Sequence, residues 1–191
     1  MRMVWALLLA VAATATQADE MDIPVYPRVL VETSHGEFIL ELDGPRAPIS
    51  VSNFLAYVRD DAYAGALFHR VVPGFVAQGG GYDAQFNELP VSEDIANESG
   101  NGLRNERGTI AMARHANPHS ANRQFYVNLR DNDALDPSAS RWGYAVFGRV
   151  VDGLEVIDAI AALPTGPAGP FRSEAPQSPV TIKSMKLLPD D

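Results

Sequence analysis

Arg70 is the residue that most needs an explanation. It lies in the stretch FHRVVPGFVAQGGG, Phe68 to Gly81, surrounded by Phe68, Val71, Val72, Phe75 and Val76. A permanently charged guanidinium in such company is costly unless it is paired or put to use. Two chemistries are open to it, a structural ion pair with a carboxylate or a forked donor held for a ligand. The other chemistry-bearing patterns are weaker. His115 and His119 stand four apart, a spacing of helical metal ligands, but in a polar loop with Asn117-Pro118 between them, so no metal is expected there. Gly79-Gly80-Gly81 is followed by neither a Lys-Ser/Thr pair nor a helix, as a phosphate cradle requires. No serine occupies a G-x-S-x-G elbow, which disfavours a serine hydrolase. Asn97-Glu98-Ser99 has the form of a glycosylation acceptor, a pattern common by chance.

The elements that must position Arg70 follow from local patterning. Two apolar runs around Pro73-Gly74 predict a hairpin. Val29–Thr33 and Glu37–Leu42, joined by Ser34-His35-Gly36, predict an earlier one. Pro48 opens a helix to Arg59, because Ile49, Val51, Phe54, Leu55 and Val58 follow helical spacing. Tyr82 to Arg107 is a long loop, more often functional than accidental, with Val91–Ile95 its one strand-like run. Gly108–Ala113, Gln124–Leu129 and Tyr144–Val150 read as strands, and the first two are separated by the polar loop Arg114 to Arg123. A second helix is expected over Leu154–Ala162, a proline- and glycine-rich loop over Pro164–Pro179, and a last strand over Val180–Leu187. About eight strands, two helices and no βαβ alternation predict a mainly β fold. A closed antiparallel barrel is the economical form, since closure removes exposed edges.

Composition narrows the class of function. The 191 residues, 46% hydrophobic, suffice for one core and one domain. With 15 Lys+Arg against 24 Asp+Glu and a net charge of -9, the basic residues are scattered, so no nucleic-acid partner is expected. No cysteine is present, which removes disulfides, thiol nucleophiles and thiolate metal sites. Residues 1–18 carry Arg2, the apolar run Val4–Ala13 and the small-residue end Thr16-Gln17-Ala18. They read as a secretory signal peptide, with Ala15 a second cut point, and the run is too short for a membrane anchor. Residues 19–28 are expected to be an extended lead-in, 29–188 the domain and 189–191 a tail. The mature chain is expected to be exported, to the periplasm where there is one, with no membrane contact once the signal is removed.

The central motif, with NGLRNERGTIAMAR (Asn101–Arg114), QFYVN (Gln124–Asn128) and WGYAVFGRV (Trp142–Val150), resembles the cyclophilin family of peptidyl-prolyl cis-trans isomerases, and most of all its exported bacterial members. The resemblance runs from Val29 to Leu188. It implies a closed eight-stranded antiparallel β-barrel capped by two α-helices, and an enzyme that accelerates rotation about X-Pro bonds of unfolded or partly folded polypeptides. It also implies that Arg70 is catalytic; His69 beside it reads as a core histidine or a support behind the arginine, with no proton to transfer. Phe75, Val76 and Gln78 then bind substrate, Gln78 also holding the arginine. Ala113 and Arg114 contact the residues before proline through backbone groups. Gln124 then binds substrate and Tyr126 is a pocket aromatic, while Leu135 and Tyr144 complete the wall. No metal or other cofactor is expected, and a monomer is. A proline-peptide binding module or holdase with little turnover is the alternative.

Three pocket positions depart from the commoner family residues: Val76 for methionine, Tyr126 for phenylalanine and Arg114 for asparagine. The first two keep an apolar wall. Ala134 stands where cyclosporin-sensitive members carry tryptophan. Cyclosporin A is therefore expected to bind weakly, and a titration that returned nanomolar inhibition of the purified protein would refute this.

Overall fold

The computed structural model describes residues 24–189. The signal peptide expected at 1–18, the first part of the lead-in and the last two residues lie outside the described residues. Strands β1 (Arg28–Thr33) and β2 (Gly36–Leu42) form the first hairpin, and helix α1 spans Pro48–Arg59. Next come β3 (Arg70–Val72), β4 (Val76–Gly79), β5 (Thr109–Met112) and β6 (Phe125–Asn128). A 3-10 turn at Asp133–Leu135 leads to β7 (Val146–Asp152) and helix α2 (Leu154–Ala161). The chain ends with β8 (Thr165–Ala168), β9 (Phe171–Pro176) and β10 (Ile182–Leu187).

Eight of these strands form one antiparallel sheet in the order β10-β1-β2-β7-β5-β6-β4-β3. The sheet curls until its ends meet, but the expected closed barrel is an overstatement. Between β3 and β10 there is no ladder. The seam is crossed by the bridge Leu67–Thr181 and by backbone bonds from Phe68 to Val180, Gly65 to Ile182 and Ile182 to Ala66. These few bonds satisfy edge groups that would otherwise invite pairing with another chain.

A second correction falls on Pro164–Pro179. Instead of a loop, this segment contains the β8–β9 hairpin, a separate two-stranded sheet. The strand-like run Val91–Ile95 contributes only an isolated bridge, Ile95–Ala121.

Strand alternation sorts the core into two clusters. Val29, Val31, Phe38, Leu40, Leu42, Val71, Ala77, Ile110, Met112, Phe125, Val127 and Phe147 face the inside, where Phe54 and Leu55 of α1 and Ile157 and Ile160 of α2 join them. Their alternates Val76, Ala111, Tyr126 and Val146 face the other way and form a second buried cluster. Strands β4 to β7 therefore carry apolar residues on both faces, which is why they read as continuous apolar runs. The outer cluster is the floor on which the site is built.

The long loop, residues 82–107, fastens the scaffold. Ala47 at the start of α1 offers no side-chain cap. Glu98 supplies one from the loop, accepting bonds from Ile49 N at 3.0 Å, Ser50 N at 2.8 Å and Ser50 Oγ at 2.7 Å. A carboxylate there satisfies orphan helix donors and complements the positive end of the helix. Asn97 beside it donates to the carbonyls of Pro118 and Gly143, a structural use of the residue that heads the glycosylation-like triplet. Glu98→Ala should lower stability by about 1–2 kcal/mol. Urea unfolding checks this, and an unchanged midpoint would show that the cap contributes nothing.

Candidate active site

Register brings the site together. Arg70 lies opposite Gln78, Gln78 opposite Tyr126, Tyr126 opposite Ala111 and Ala111 opposite Val146. One row thus crosses five strands on the outer face. The β3–β4 turn fixes its first step: Phe75 N donates to Val72 O at 2.9 Å, and Gly74 takes φ 67, a conformation glycine adopts at little cost. The glycine run after Gln78 has a packing reason. A Cβ on Gly80 would meet Tyr63 at 2.9 Å, and one on Gly81 would meet the Gln124 side chain at 2.5 Å.

Around this row is a hollow of about 300 Å³ lined by Arg70, Phe75, Val76, Gln78, Ala113, Arg114, Tyr126, Leu135 and Tyr144. Nine of the residues singled out in the sequence therefore share one pocket. Gln124 stands directly behind it, accepting from Gln78 Nε2 at 2.9 Å. His69 is not in the lining; it is buried, 1% exposed, against Tyr82 and Phe171. A larger groove lined by Tyr26, Ile39, Glu41, Arg149 and Val151 includes none of them. His119 is taken up structurally, its Nδ1 accepting from Asn97 N and its ring meeting Trp142 edge-on. Among the described residues no group of three or more His, Asp or Glu is placed to hold a metal.

The pocket walls are held by polar side chains behind them. Tyr126 Oη donates to Asn105 Oδ1 at 2.8 Å. Asn128 bonds the same oxygen, and Asp136 accepts from both Asn105 N and Asn105 Nδ2. Burial raises the Tyr126 phenol well above its usual range, so this group stays a neutral donor. Arg114, expected to act through its backbone, also brings its guanidinium to the wall. It sits 4.4 Å over the Tyr144 ring and donates to the carbonyls of Gly143, His115 and Trp142. The pocket therefore sets the apolar side chains of Phe75, Val76, Ala113 and Leu135 among polar ones, with the cations of Arg70 and Arg114 in its lining.

Arg70 itself is held on two sides. Its Nη1 donates to Gln78 Oε1 at 3.3 Å. Its Nε and Nη2 donate to the two carboxylate oxygens of Glu174 at 2.9 and 3.2 Å. Glu174, on β9, is the residue that sequence reasoning missed. The only signal was that a charge among apolar residues needs a counter-charge, and 24 acidic residues offered no way to choose. The two side chains are 27% and 41% exposed, so the pair contributes at most about 1 kcal/mol to stability. Three of the five guanidinium N–H groups are thereby used, and one on each Nη remains. Arg123, a residue of the expected polar loop, is a contrast. Buried at 2% exposure, it donates to the backbone oxygens of Gly80, Pro90 and Ala62 and sits over the Tyr57 and Tyr63 rings, a purely structural cation.

A curled antiparallel sheet of eight strands, flanked by two helices and carrying an arginine-edged pocket on its outer face, defines the class of fold. The family model described as "Cyclophilin type peptidyl-prolyl cis-trans isomerase/CLD" matches residues 28–187, and the chain belongs to that family. It is 46% identical over 160 residues to "Peptidyl-prolyl cis-trans isomerase A" of Dickeya dadantii, with 84% of each chain covered. It is 43% identical over 162 residues to "Peptidyl-prolyl cis-trans isomerase B" of Escherichia coli, covering 83% of this chain and 98% of that one. Among solved structures, a cyclophilin-type isomerase of Cryptosporidium parvum shares the fold, with TM-score 0.72, 22% identity and coverage of 87% and 99%.

Burial pushes the His69 pKa down to about 4, against smaller opposing effects of the Leu67 backbone and the Gln124 side chain. Between about pH 4 and 6.5 the unfolded chain binds a proton at this ring that the native state refuses, so stability rises with pH across that window. The contribution is complete above about pH 6.5, and up to about 3 kcal/mol is lost as pH falls to 4. His69→Gln should flatten this part of the stability profile relative to wild type. Parallel curves for the two proteins would show that the ring does not titrate differently on folding.

Proposed function

We propose that this chain accelerates cis–trans rotation about X-Pro bonds of unfolded or partly folded polypeptides, with Arg70 as the group that stabilises the twisted state. Rotation must overcome a barrier of roughly 18–20 kcal/mol, because resonance keeps the amide planar. In the twisted state the prolyl nitrogen pyramidalises and regains a lone pair. A donor aimed at that nitrogen binds the transition state better than either planar isomer, the condition for raising the rate. No proton is transferred and no bond is broken, so a permanently protonated fork is a fitting catalyst.

The observation that carries this reading is the position of Arg70, at the mouth of a cup formed by Phe75, Val76, Tyr126, Leu135 and Tyr144, with two N–H groups uncommitted. The cup would hold the proline ring while the preceding carbonyl swings. Ala113 and Arg114 would contact the residues before proline, and Gln78 and Gln124 would hydrogen-bond substrate. His69 would support the floor from beneath. A related Cryptosporidium parvum isomerase has been crystallised in the presence of the dipeptide Ala-Pro, which suits a pocket of this kind. The leader-like residues 1–18 support export, with the mature protein acting as a monomer on newly exported chains, away from nucleic acid and membrane.

Arg70→Ala should lower kcat/KM for an Ala-Pro peptide by about 100-fold, the equivalent of a lost charge-assisted hydrogen bond. Its unfolding midpoint should stay close to wild type, because the ion pair it loses is half-exposed. A protease-coupled assay checks the first point. Undiminished turnover would overturn the mechanism, and a wild-type protein that binds the peptide without turnover would instead be a binding module or holdase.

A further inference from the structure

We infer that Glu174 is a positioning residue for Arg70, and that the β8–β9 hairpin exists in this chain as the arm that delivers it. The inference rests on the reading of Arg70 as the reacting donor. The carboxylate takes the Nε–Nη2 edge of the guanidinium with both oxygens, and Gln78 takes Nη1 from the neighbouring strand. A planar group gripped on its edge by a fork-to-fork contact and at one end by a third acceptor has no freedom to rotate about its last bonds. Its two remaining N–H groups, one on each Nη, are then held in place with it.

The arm is built to hold that grip. Glu174 lies beside Ala175, which pairs with Gly166 across the hairpin. Phe171, at the start of β9, packs on His69 and on Tyr82, each with ring centroids 5.2 Å apart, and Phe86 lies beyond it at 6.2 Å. The turn residue Gly169 lies so close to Phe86 that a Cβ there would approach its ring at 2.4 Å. His69 precedes Arg70 in the chain, so the aromatic stack seats β9 one residue from the guanidinium it must reach. A half-exposed ion pair is a weak stabiliser of a fold, and a side chain in a pocket that must meet one atom of a rotating bond gains more from being held still.

The test compares Glu174→Ala and Glu174→Gln with wild type on an Ala-Pro peptide, and follows the Arg70 guanidinium Nε–H signal by NMR. Glu174→Ala should lower kcat about tenfold with KM within about twofold. Its Nε–H signal should shift upfield and exchange faster with water. Glu174→Gln, which keeps one acceptor oxygen, should lose less on both measures. Wild-type kcat in Glu174→Ala, a lower kcat with the Nε–H signal unmoved, or a faster variant, which would make the carboxylate a competitor for the donor, would each overturn the positioning role. These results are distinguishable from failure of the proposed function, because only the latter leaves Arg70→Ala fully active.

Discussion

The proposed function depends on a charge being held at the edge of the pocket with part of its donor fork left uncommitted. A guanidinium left free beside Phe75 and Tyr126 would turn toward water, and one paired on every side, as Arg123 is with three backbone oxygens, would have nothing to offer a ligand. Arg70 avoids both outcomes because its partners come from one edge and one end only. The rest of the fold can be understood as the means of fixing those partners. Gln78 is set opposite by strand register, and Gln124 braces Gln78 from behind.

The cup itself is a consequence of two-sided strands. In β4 to β6 the inward residues Ala77, Ile110, Met112, Phe125 and Val127 belong to the main core, and the outward Val76, Ala111 and Tyr126 form a second buried cluster. An outward apolar face must be covered, and here the covering is incomplete by design of the loops. Asn105 and Asp136 clamp the segments around residues 99–107 and 129–143 over part of it. The part left open is the pocket. Rigidity comes from buried, satisfied polar groups, which cost little when every partner is present.

What was legible in the sequence was whatever local pattern decides. Pro48 and the apolar spacing behind it marked α1 at its observed ends, and Pro73-Gly74 marked the central hairpin. Arg70, Phe75, Val76 and Gln78 lie within one motif, and the strand run that holds Tyr126 pairs directly with it, so their convergence needed only the right register. What was illegible was decided at long range. Thr165–Ala168 shows no alternation, and its hairpin is seated by Phe171 against residues that lie about a hundred positions earlier. Glu174 reaches Arg70 across 104 positions, and Glu98 caps a helix that begins some fifty residues before it. Local composition contains no trace of such pairings. Closure of the barrel was overstated for a related reason, since whether a seam is laddered or merely bridged depends on a few terminal bonds.

The central claim is that the geometry of the Arg70 fork, and not merely a positive charge at the rim, drives rotation. Exchange NMR on an Ala-Pro peptide bound to Arg70→Lys tests this most directly, because lysine keeps the charge and loses the planar fork. The account predicts that the bound cis and trans peptide signals persist while their exchange slows by about tenfold or more. Exchange at the wild-type rate in that variant would contradict it.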